Sequence, residues 1–472
     1  MKTPIPQNKQ SAHLIGIGGI GISALARYFL SKNWAVSGSD IAPSDLIHDL
    51  KREGAMVKIG HKKGNLAPKT GLVVYNQAIP AHNPELKEAR RLRIPTLTYP
   101  EALGWITREY KTITVSGAHG KSTTTALLSI VLMRAGFDPT VIVGTKLPHL
   151  NGKNFRLGKS SCFLLEADEW RASFLNYSPT YAVITNIDAE HLDFYKNFSN
   201  VKKTFLKFFG NIKSGGILVA NKDDKNLFGL KSQIQKIAKR NNFRVVWYGG
   251  MMHHTTRRRI KRVLKVPGIH NVSNALAAYT LAKALGIRDN IIFKALGAYR
   301  GAWRRMEFRG RMIFSIKNKV SSIRNTKYSI PVFDDYAHHP TEIKATLQAF
   351  REKFPKKKII CVFQPHQAHR LKNLFEDFVN AFDLADHLIL LPIYEVAGRD
   401  KPHRGYTSAD LAKAIKKQET RNKKQDTVTY LPSPNRLRRF LIENCKLKIE
   451  NCVIVMMGAG DIVNYTKSLL KK

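Results

Sequence analysis

With 472 residues the chain is long enough for about three domains, and its hydrophobic fraction of 43% and mean hydropathy of −0.27 exclude a disordered protein. No run approaches the roughly 18 apolar residues of a membrane span, and the opening MKTPIPQNKQS lacks the apolar core of a secretory signal, so we expect a cytoplasmic protein without membrane insertion. The formal net charge of +43 is spread along the chain, which favours solvated surface charge over a nucleic-acid site.

A glycine-rich turn lies near the start of the first predicted domain, residues 1–106. Short apolar runs there alternate with amphipathic segments, which predicts a Rossmann-like parallel sheet with crossover helices. The turn follows a strand and opens a helix, so its N–H groups can face the pyrophosphate of a bound substrate: Gly16, Gly18, Gly19, Ile20 and Gly21. Asp40 ends the second predicted strand, where it could contact a sugar or base. By themselves these residues fit a nucleotide-linked substrate, a nicotinamide cofactor or a structural turn.

A second glycine-rich loop opens the central predicted domain, residues 107–301, for which we predict a mostly parallel sheet. This loop lies between the strand TITV and the helix TTALLSIVL, where N–H groups, a lysine and a hydroxyl can bind a triphosphate and Mg²⁺. The candidate nucleotide contacts are Gly117, Ala118, His119, Gly120, Lys121, Ser122 and Thr123. The loop is two residues shorter than GxxxxGK[ST], and an ordinary helix start is the alternative.

Two further side chains could complete a metal site beside this loop. Glu166 ends one predicted strand and His191 follows another, so both can project from the carboxyl edge of the sheet. With Ser122 and the triphosphate oxygens they would form a plausible Mg²⁺ shell, although His is an uncommon Mg²⁺ ligand. Each could instead be a hydrogen-bonded structural residue.

Polar residues near the end of the central domain offer further contacts to a nucleotide. His270, Asn271 and Asn274 open a predicted helix, where they can cap it or present amide groups to an adenine edge. Arg304 and Arg305 lie near the next boundary, where a guanidinium could reach a phosphate, or where both could be ordinary surface residues.

The third predicted domain, residues 302–472, is again Rossmann-like α/β, with strand candidates PVFDDY, KIICVFQP, HLILLPIY and CVIVMMGAG. Residues 317–328 look like a loop or hairpin insertion. His338 and His339 directly precede Pro340, which suits a first helical turn, and a transition-metal site is the alternative use of this pair.

Several motifs occur together in a recognisable order, namely SGAHGKST, EADE, TNIDAEHLDFY, PGIHNVSNALAA, RRMEFRG and DDYAHHPTEI. In order and spacing, from His13 to Gly460, they resemble the Mur ligase family. The resemblance implies an enzyme that uses ATP and Mg²⁺ to join an amino acid to a UDP-linked sugar acid through an acyl phosphate. It is closest to the members that join L-alanine to UDP-N-acetylmuramate in peptidoglycan precursor synthesis.

The resemblance also implies roles for individual residues. Lys121 would contact the triphosphate, Glu166 and His191 would hold Mg²⁺, and Asn271 and Asn274, with His270, would face adenine. Arg305, or its neighbour Arg304, would contact the transferring phosphoryl group, with Asp335 positioning the nucleotide. The contacts implied for the sugar-acid and amino-acid substrates are His338, His339, His366 and Arg370.

The amino-acid site departs from the family pattern. Gln367 stands where a second guanidinium is usual, and Arg399 stands where an acidic residue is usual. An amide binds a carboxylate less strongly than a guanidinium does, so the amino acid could differ from L-alanine. The alternatives are a ligase that attaches an intact tripeptide to the same sugar and, in another class, a non-catalytic basic protein that binds nucleotide or nucleic acid. The sequence predicts no oligomeric state.

Overall fold

The structure is a computed structural model that describes residues 10–316, 326–395, 405–421, 427–444 and 451–470. Its chain forms two compact units, one of Met1–Lys265 with Val272–Arg300 and the other of Val266–Asn271 with Gly301–Lys472. The first unit contains two sheets and the second contains one. The predicted three-domain α/β architecture is confirmed, whereas the exact boundaries at 106/107 and 301/302 stay a prediction.

The N-terminal sheet is fully parallel, in the order β3-β2-β1-β4-β5. Its strands are β1 (Ser11–Ile15), β2 (Ala35–Asp40), β3 (Met56–Ile59), β4 (Leu72–Tyr75) and β5 (Thr96–Thr98). Its helices are α1 (Ile20–Ser31), α2 (Asp45–Arg52), α3 (Pro84–Arg91) and α4 (Tyr99–Thr107). The strand order changes direction at β1, and ligands of such sheets bind at the carboxyl ends of the strands beside this switch point. The glycine turn after β1 occupies that position.

The central sheet has the order β12-β11-β10-β6-β9-β7-β8 and is parallel except for the edge strand β8. Its strands are β6 (Lys111–Ser116), β7 (Thr140–Leu147), β8 (Lys153–Arg156), β9 (Cys162–Glu166), β10 (Tyr181–Ile184), β11 (Ile217–Asn221) and β12 (Arg244–Tyr248). The accompanying helices are α5 (Lys121–Arg134), α6 (Leu192–Tyr195), α7 (Phe198–Phe209), α8 (Lys225–Phe228), α9 (Lys231–Asn241), α10 (His254–Val263), α11 (Ile269–Ala284) and α12 (Asp289–Leu296). Strands β6, β9 and β10 are almost fully buried, although β6 carries the polar residues Thr112, Thr114 and Ser116. Burial on both faces is usual for parallel strands in an α/β sheet.

The two sheets of the first unit share one hydrophobic core, in which residues such as Leu14, Phe163 and Ile184 are buried. A buried polar contact also joins them. Arg27 of α1 donates to Asn154 of β8 at 2.5 Å and forms an ion pair with Glu53 at 2.7 Å. The glycine turn after β1 and the glycine loop after β6 therefore belong to one packed body.

The C-terminal sheet has the order β13-β14-β18-β15-β16-β17, with only the β13/β14 pair antiparallel in the part of the chain that is described. Its strands are β13 (Glu307–Ile316), β14 (Thr326–Asp335), β15 (Lys358–Phe363), β16 (His387–Leu390), β17 (Val428–Tyr430) and β18 (Cys452–Met457). Its helices are α13 (Pro340–Lys353), α14 (Ala368–Asn373), α15 (Phe375–Val379), α16 (Ser408–Arg421), α17 (Leu437–Asn444) and α18 (Ile462–Leu470). Of the insertion predicted at residues 317–328, residues 317–325 lie outside the described residues, and Thr326–Tyr328 belong to β14.

Among the described helices, none combines the length and the apolar character needed to cross a membrane.

Candidate active site

The loop between β6 and α5 is closely fitted to its neighbours. Gly117 and Gly120 have φ angles of 130° and 84°, a region that favours glycine. A Cβ on Gly117 would overlap the Thr185 hydroxyl and lie 2.8 Å from the Asn186 carbonyl oxygen, and one on Gly120 would lie 3.1 Å from Cγ of Asn274. The loop backbone can approach a ligand closely because both positions lack a side chain.

The TNID segment after β10 fixes the middle of this loop. Asn186 accepts a hydrogen bond from the His119 N–H at 2.9 Å and donates to the His119 carbonyl at 3.0 Å, while the Thr185 hydroxyl donates to the same carbonyl at 2.6 Å. The His119 ring lies 3.0 Å from Asp188. These bonds hold the backbone N–H groups of the loop in place before any ligand binds, which is a requirement for electrostatic preorganisation.

Lys121, at the start of α5, is surrounded by oxygen atoms. Its Nζ donates to the carbonyls of Gly117 and Ala118 at 2.7 and 3.2 Å and to both carboxylate oxygens of Glu169 at 2.8 and 3.1 Å. Burial would lower the pKa of Lys121, but the carboxylates of Glu169 and Asp168 outweigh it and raise that pKa. The side chain therefore stays protonated, with a local set of acceptors that phosphate oxygens could replace.

Ser122 and Glu166 contact each other directly. The Ser122 hydroxyl donates to one oxygen of the Glu166 carboxylate at 3.1 Å, and the Gly144 N–H donates to the other at 2.7 Å. Two of the three side chains that the sequence predicts as metal ligands are thus already adjacent.

The third predicted ligand, His191, lies in a different cluster. Its Nε2 is 3.6 Å from the Glu169 carboxylate, and candidate ligand atoms of Asp168, Glu169 and His191 all lie within 4.8 Å of one another. His191 has a φ of 57°, which is uncommon for a residue other than glycine and turns the chain before α6. Carboxylate oxygens suit Mg²⁺, so this donor set and the Ser122 and Glu166 pair both fit a divalent cation.

The N-terminal glycine turn contacts the predicted Asp40. Gly16 has a φ of 78°, and the Gly18 N–H donates to the Asp40 carboxylate at 2.8 Å. Ile20 is the first residue of α1, and a Cβ on Gly21 would lie 2.9 Å from the Tyr99 ring. Gly21 therefore allows α1 to pack against α4, whereas Gly16 and Gly18 shape the turn itself.

The residues predicted to face adenine begin α11. Asn274 is buried against Gly120 of the loop between β6 and α5. Asn271 donates to the Pro267 carbonyl at 2.6 Å. Burial, followed by the charge of Arg305, lowers the pKa of His270 to about 4, so this imidazole is neutral at neutral pH.

In the second unit, Arg304 and Arg305 have different environments. The buried Arg304 guanidinium donates to the carbonyls of Gly458 and Gly460, the latter at 3.0 Å. Arg305 is 28% exposed and lies 3.8 Å from Glu342. Arg304 therefore secures a turn, and Arg305 is the better placed of the two to contact a ligand.

Asp335, at the end of β14, is buried and fully hydrogen-bonded. It accepts from the N–H groups of Met306 and Ala337 at 2.8 and 2.9 Å and from the Thr346 hydroxyl at 3.2 Å. Burial raises the pKa of this carboxyl group. In the structure Asp335 fixes the backbone next to Arg305, and its predicted contact with the nucleotide stays a prediction.

The histidines predicted to contact substrates lie on two neighbouring loops of the second unit. His338 and His366 have ring centroids 5.9 Å apart, and His338 Nδ1 is 3.2 Å from Glu342. His339 instead caps α13 by accepting from the Thr341 N–H at 3.3 Å.

Arg370 donates to the His366 carbonyl at 3.4 Å. Gln367 precedes α14 with a φ of 70°, and Arg399 lies outside the described residues.

Comparison with known proteins identifies the family. Residues 11–111, 115–282 and 321–460 match the family models described as Mur ligase family, catalytic domain; Mur ligase middle domain; and Mur ligase, glutamate ligase domain. The chain belongs to the Mur ligase family. The predicted family is thereby confirmed.

Curated Mur ligases resemble the chain over nearly its whole length. UDP-N-acetylmuramate--L-alanine ligase of Clostridium novyi is 38% identical, covering 99% of this chain and 98% of the relative, and that of Clostridium perfringens is 37% identical, covering 98% of each.

Solved Mur ligases share the fold. The UDP-N-acetylmuramate-alanine ligase of Thermotoga maritima aligns with a TM-score of 0.73 and 26% identity over 98% of each chain. A murein peptide ligase of Psychrobacter arcticus aligns with a TM-score of 0.66 and 21% identity over 98% of each chain, a likeness that concerns the fold.

Sequence reasoning missed several side chains of this Mur ligase site. Asp168 and Glu169 belong to the EADE motif, from which only Glu166 was selected, although Glu169 holds Lys121 and approaches His191. Thr185 and Asn186 were likewise part of a quoted motif without an assigned role. A signal existed in both cases, because acidic or amide side chains followed a buried strand.

Proposed function

We propose that the protein is an ATP-dependent ligase that forms an amide bond between the carboxylate of UDP-N-acetylmuramate and the amino group of L-alanine. The proposal rests on the 38% identity, over 99% of the chain, to a UDP-N-acetylmuramate--L-alanine ligase. The oxygen atoms that surround Lys121 support it. Such a reaction would contribute to peptidoglycan precursor synthesis.

The first half-reaction requires activation of a carboxylate. A carboxylate is a poor acyl donor because its leaving group would be oxide, and transfer of the γ-phosphoryl group of ATP converts that oxygen into a phosphate. The loop between β6 and α5, which we call the phosphate loop, would bind the triphosphate through its N–H groups, and Lys121 would exchange the Glu169 carboxylate for phosphate oxygens. The work of these residues is positioning and neutralisation of charge.

Mg²⁺ is part of the proposal, with Ser122, Glu166 and His191 as its predicted ligands and Asp168 and Glu169 as further donors. When bound, the ion would neutralise charge on the phosphate oxygens and orient them. The protein's own contribution is two groups of donors. The hydrogen bonds from Ser122 and Gly144 hold Glu166 beside Ser122, and the ligand atoms of Asp168, Glu169 and His191 lie within 4.8 Å of one another.

In the second half-reaction an amine displaces phosphate from the acyl phosphate through a tetrahedral intermediate. We propose that Arg305, which lies just before β13, contacts the phosphoryl group. His338 and His366, on the loops that follow β14 and β15, and Arg370, in α14, would contact the substrates. Asn271 and Asn274, with His270, would contact adenine. Asp335 would position the nucleotide through the backbone that it holds.

A second candidate is the ligase that attaches a tripeptide to the same sugar. The observation that favours it is Gln367, an amide in place of an expected guanidinium, at a loop position with a φ of 70°. Phosphate release would be measured with UDP-N-acetylmuramate, MgATP and either single amino acids or the tripeptide. Turnover with L-alanine supports the proposal, whereas turnover with the tripeptide alone refutes it.

The phosphate loop is tested with Lys121→Ala, which should abolish phosphate release. Lys239→Ala, which removes an exposed lysine from the last turn of α9, is the matched control and should retain the activity of the parent. Unchanged turnover by Lys121→Ala would contradict the assigned role of the loop.

We also propose a cytoplasmic location. ATP and a UDP-linked sugar would both be substrates, and the described cysteines, Cys162, Cys361 and Cys452, are free thiols, as is usual in a reducing compartment. Cys445 lies outside the described residues.

A further inference from the structure

A strained segment follows the EADE motif. Arg171 and Ala172 have φ angles of 50° and 55° within the 3₁₀ helix Trp170–Asn176, and such angles are uncommon for residues with a Cβ. Conformations of this kind cost free energy and persist where the surrounding structure enforces them, often at a binding site.

The segment is bonded to the loop that follows β4 of the N-terminal sheet. Nη1 of Arg171 donates to the Gln77 carbonyl at 2.9 Å, and the Ser173 hydroxyl donates to the Gln77 side-chain oxygen at 2.8 Å. The preceding residue, Asn76, lies against the glycine turn: a Cβ on Gly19 would be 3.1 Å from its Nδ2. One end of the segment is therefore tied to the proposed nucleotide-sugar site.

The other end of the segment is tied to the phosphate loop. The Ala172 N–H donates to the Glu169 carbonyl at 2.9 Å, and the Tyr195 hydroxyl donates to the same carbonyl. The Glu169 carboxylate is the partner of Lys121 at 2.8 Å. A continuous chain of contacts thus runs from the glycine turn through Asn76, Gln77 and Arg171 to the proposed triphosphate site.

The Arg171 guanidinium lies in this chain with most of its hydrogen-bonding capacity unused. It is exposed, and within the described parts of the chain its contacts are the neutral Gln77 carbonyl and the Trp170 ring, 5.0 Å from Cζ, with no carboxylate. A guanidinium has five N–H donors in a planar fork that matches a carboxylate. An anion bound between the two glycine-rich segments would be the natural partner of this charge.

We infer that Arg171 binds the carboxylate of the sugar-acid substrate and orients it towards the phosphate held at Lys121. This inference rests on the proposed function and adds a substrate-binding residue to it. The hydrogen bond to Gln77 fixes the direction of the guanidinium, so the residue is preorganised rather than recruited from solvent.

The test compares two ligands that differ in the acid. UDP-N-acetylmuramate carries a lactyl carboxylate that UDP-N-acetylglucosamine lacks, and binding of each is measured by titration calorimetry for the parent, Arg171→Gln and Arg171→Lys. We expect Arg171→Gln to weaken binding of UDP-N-acetylmuramate by about tenfold or more and to leave UDP-N-acetylglucosamine unchanged. Arg171→Lys, which keeps the charge but not the fork, should recover part of the loss.

Arg134→Gln is the matched control. Arg134 also donates to one backbone carbonyl, that of Lys294 at 2.8 Å, but it lies in the last turn of α5, far from Lys121 at the start of that helix. In turnover assays Arg171→Gln should raise the KM for UDP-N-acetylmuramate and leave the KM for ATP unchanged, and Arg134→Gln should change neither.

Equal weakening of both ligands by Arg171→Gln, or no weakening of either, would overturn the inference. If Arg171→Gln fails to fold, the comparison is made with Arg171→Lys, for which a loss confined to UDP-N-acetylmuramate is still required. A parent protein that releases no phosphate from ATP with UDP-N-acetylmuramate and any amino acid would instead refute the proposed function, so the two failures are distinguishable.

Discussion

Replacement of Glu85 by Gln is expected to destabilise the N-terminal part of the protein and to loosen its glycine turn. Glu85, in α3, is fully buried and accepts hydrogen bonds from Ser39 at 2.5 Å, Asn65 at 2.6 Å and the Lys62 N–H at 3.1 Å. Its carboxylate is also 3.1 Å from Nε2 of His13, which must be the donor because an ionised carboxylate only accepts. The Ser39 carbonyl in turn accepts from the Gly16 N–H at 2.8 Å.

The size of the expected loss in the free energy of unfolding follows from the proton affinity of Glu85. Burial would raise its pKa, but the hydrogen bonds from His13, Ser39 and Asn65 outweigh it and lower that pKa from 4.5 to about 2. At about 1.4 kcal/mol per tenfold change in proton affinity, the ionised side chain contributes about 3 kcal/mol. Gln cannot make the same contribution to stability, because the N–H donors of its amide group would face the donors that now bind the Glu85 carboxylate.

The sign of the pH dependence is fixed by the lowered pKa. The contribution is fully present above the unfolded-state pKa, near 4.5, and is lost as the pH falls towards the folded-state value of about 2. The difference in the free energy of unfolding between parent and Glu85→Gln should therefore be about 2 to 3 kcal/mol at pH 7 and smaller by about 1 kcal/mol at pH 3.5.

Urea unfolding followed by circular dichroism at both pH values measures this difference. Glu88→Gln is the matched control, because Glu88 lies on the same helix but pairs with Arg91 at the surface, and it should have little effect. Titration calorimetry with UDP-N-acetylmuramate should also show weaker binding by Glu85→Gln. A Glu85→Gln protein that is as stable as Glu88→Gln at pH 7 would refute the reasoning.

Three further predictions concern the site and its support. Gly117→Ala should lower the free energy of unfolding by about 2 kcal/mol or more and impair ATP binding, because its Cβ would overlap Thr185. Gly136→Ala is the control, because Gly136 also has a positive φ, of 79°, but has open space around it. It should lower the free energy of unfolding less, as measured with urea, and should retain ATP binding, as measured by calorimetry. Arg304→Lys should destabilise the protein by about 2 to 4 kcal/mol in urea unfolding, since a buried lysine cannot reproduce the bonds of the fork, and equal stability would contradict its structural role. A chelator should abolish phosphate release, and excess Mg²⁺ should restore it. His191→Ala should raise the half-saturating Mg²⁺ concentration about tenfold or more. Phosphate release in the presence of the chelator would refute the metal requirement.

Much of the architecture around Lys121 was predictable because the glycines, the lysine and the apolar pattern of the strand are local signals. The sequence predicted a strand, a turn and a helix around Lys121, and the structure has β6 and α5 there. It also predicted a helix opened by His270, Asn271 and Asn274, and α11 covers Ile269–Ala284.

Other features depend on tertiary contacts and could not be predicted locally. Strand β13 was not expected: Met312 and Phe314 are buried while Ile313 is partly exposed, but the charged residues at its start obscure this alternation. Likewise, Arg304 and Arg305 are adjacent and chemically identical. Arg304 has a structural role because its backbone φ of 56° and the position of the turn at Gly458 bring its guanidinium to that turn. The partner of Lys121 was also hidden, because nothing in the spacing of EADE indicates which carboxylate reaches it.

The pairing of Lys121 with Glu169 has a consequence for how nucleotide binding is driven. A buried ammonium without acceptors would be costly, and two backbone carbonyls together with one carboxylate remove that cost in the free protein. In the proposed mechanism phosphate oxygens replace Glu169, so the lysine would exchange one anion for another and the net gain in electrostatic energy would be modest. The released carboxylate, however, lies beside Asp168 and His191, where a divalent cation would bind it. Triphosphate and cation should therefore bind with positive coupling. The triphosphate would separate Glu169 from Lys121, and the cation would bind the Glu169 carboxylate while the triphosphate binds the Lys121 ammonium.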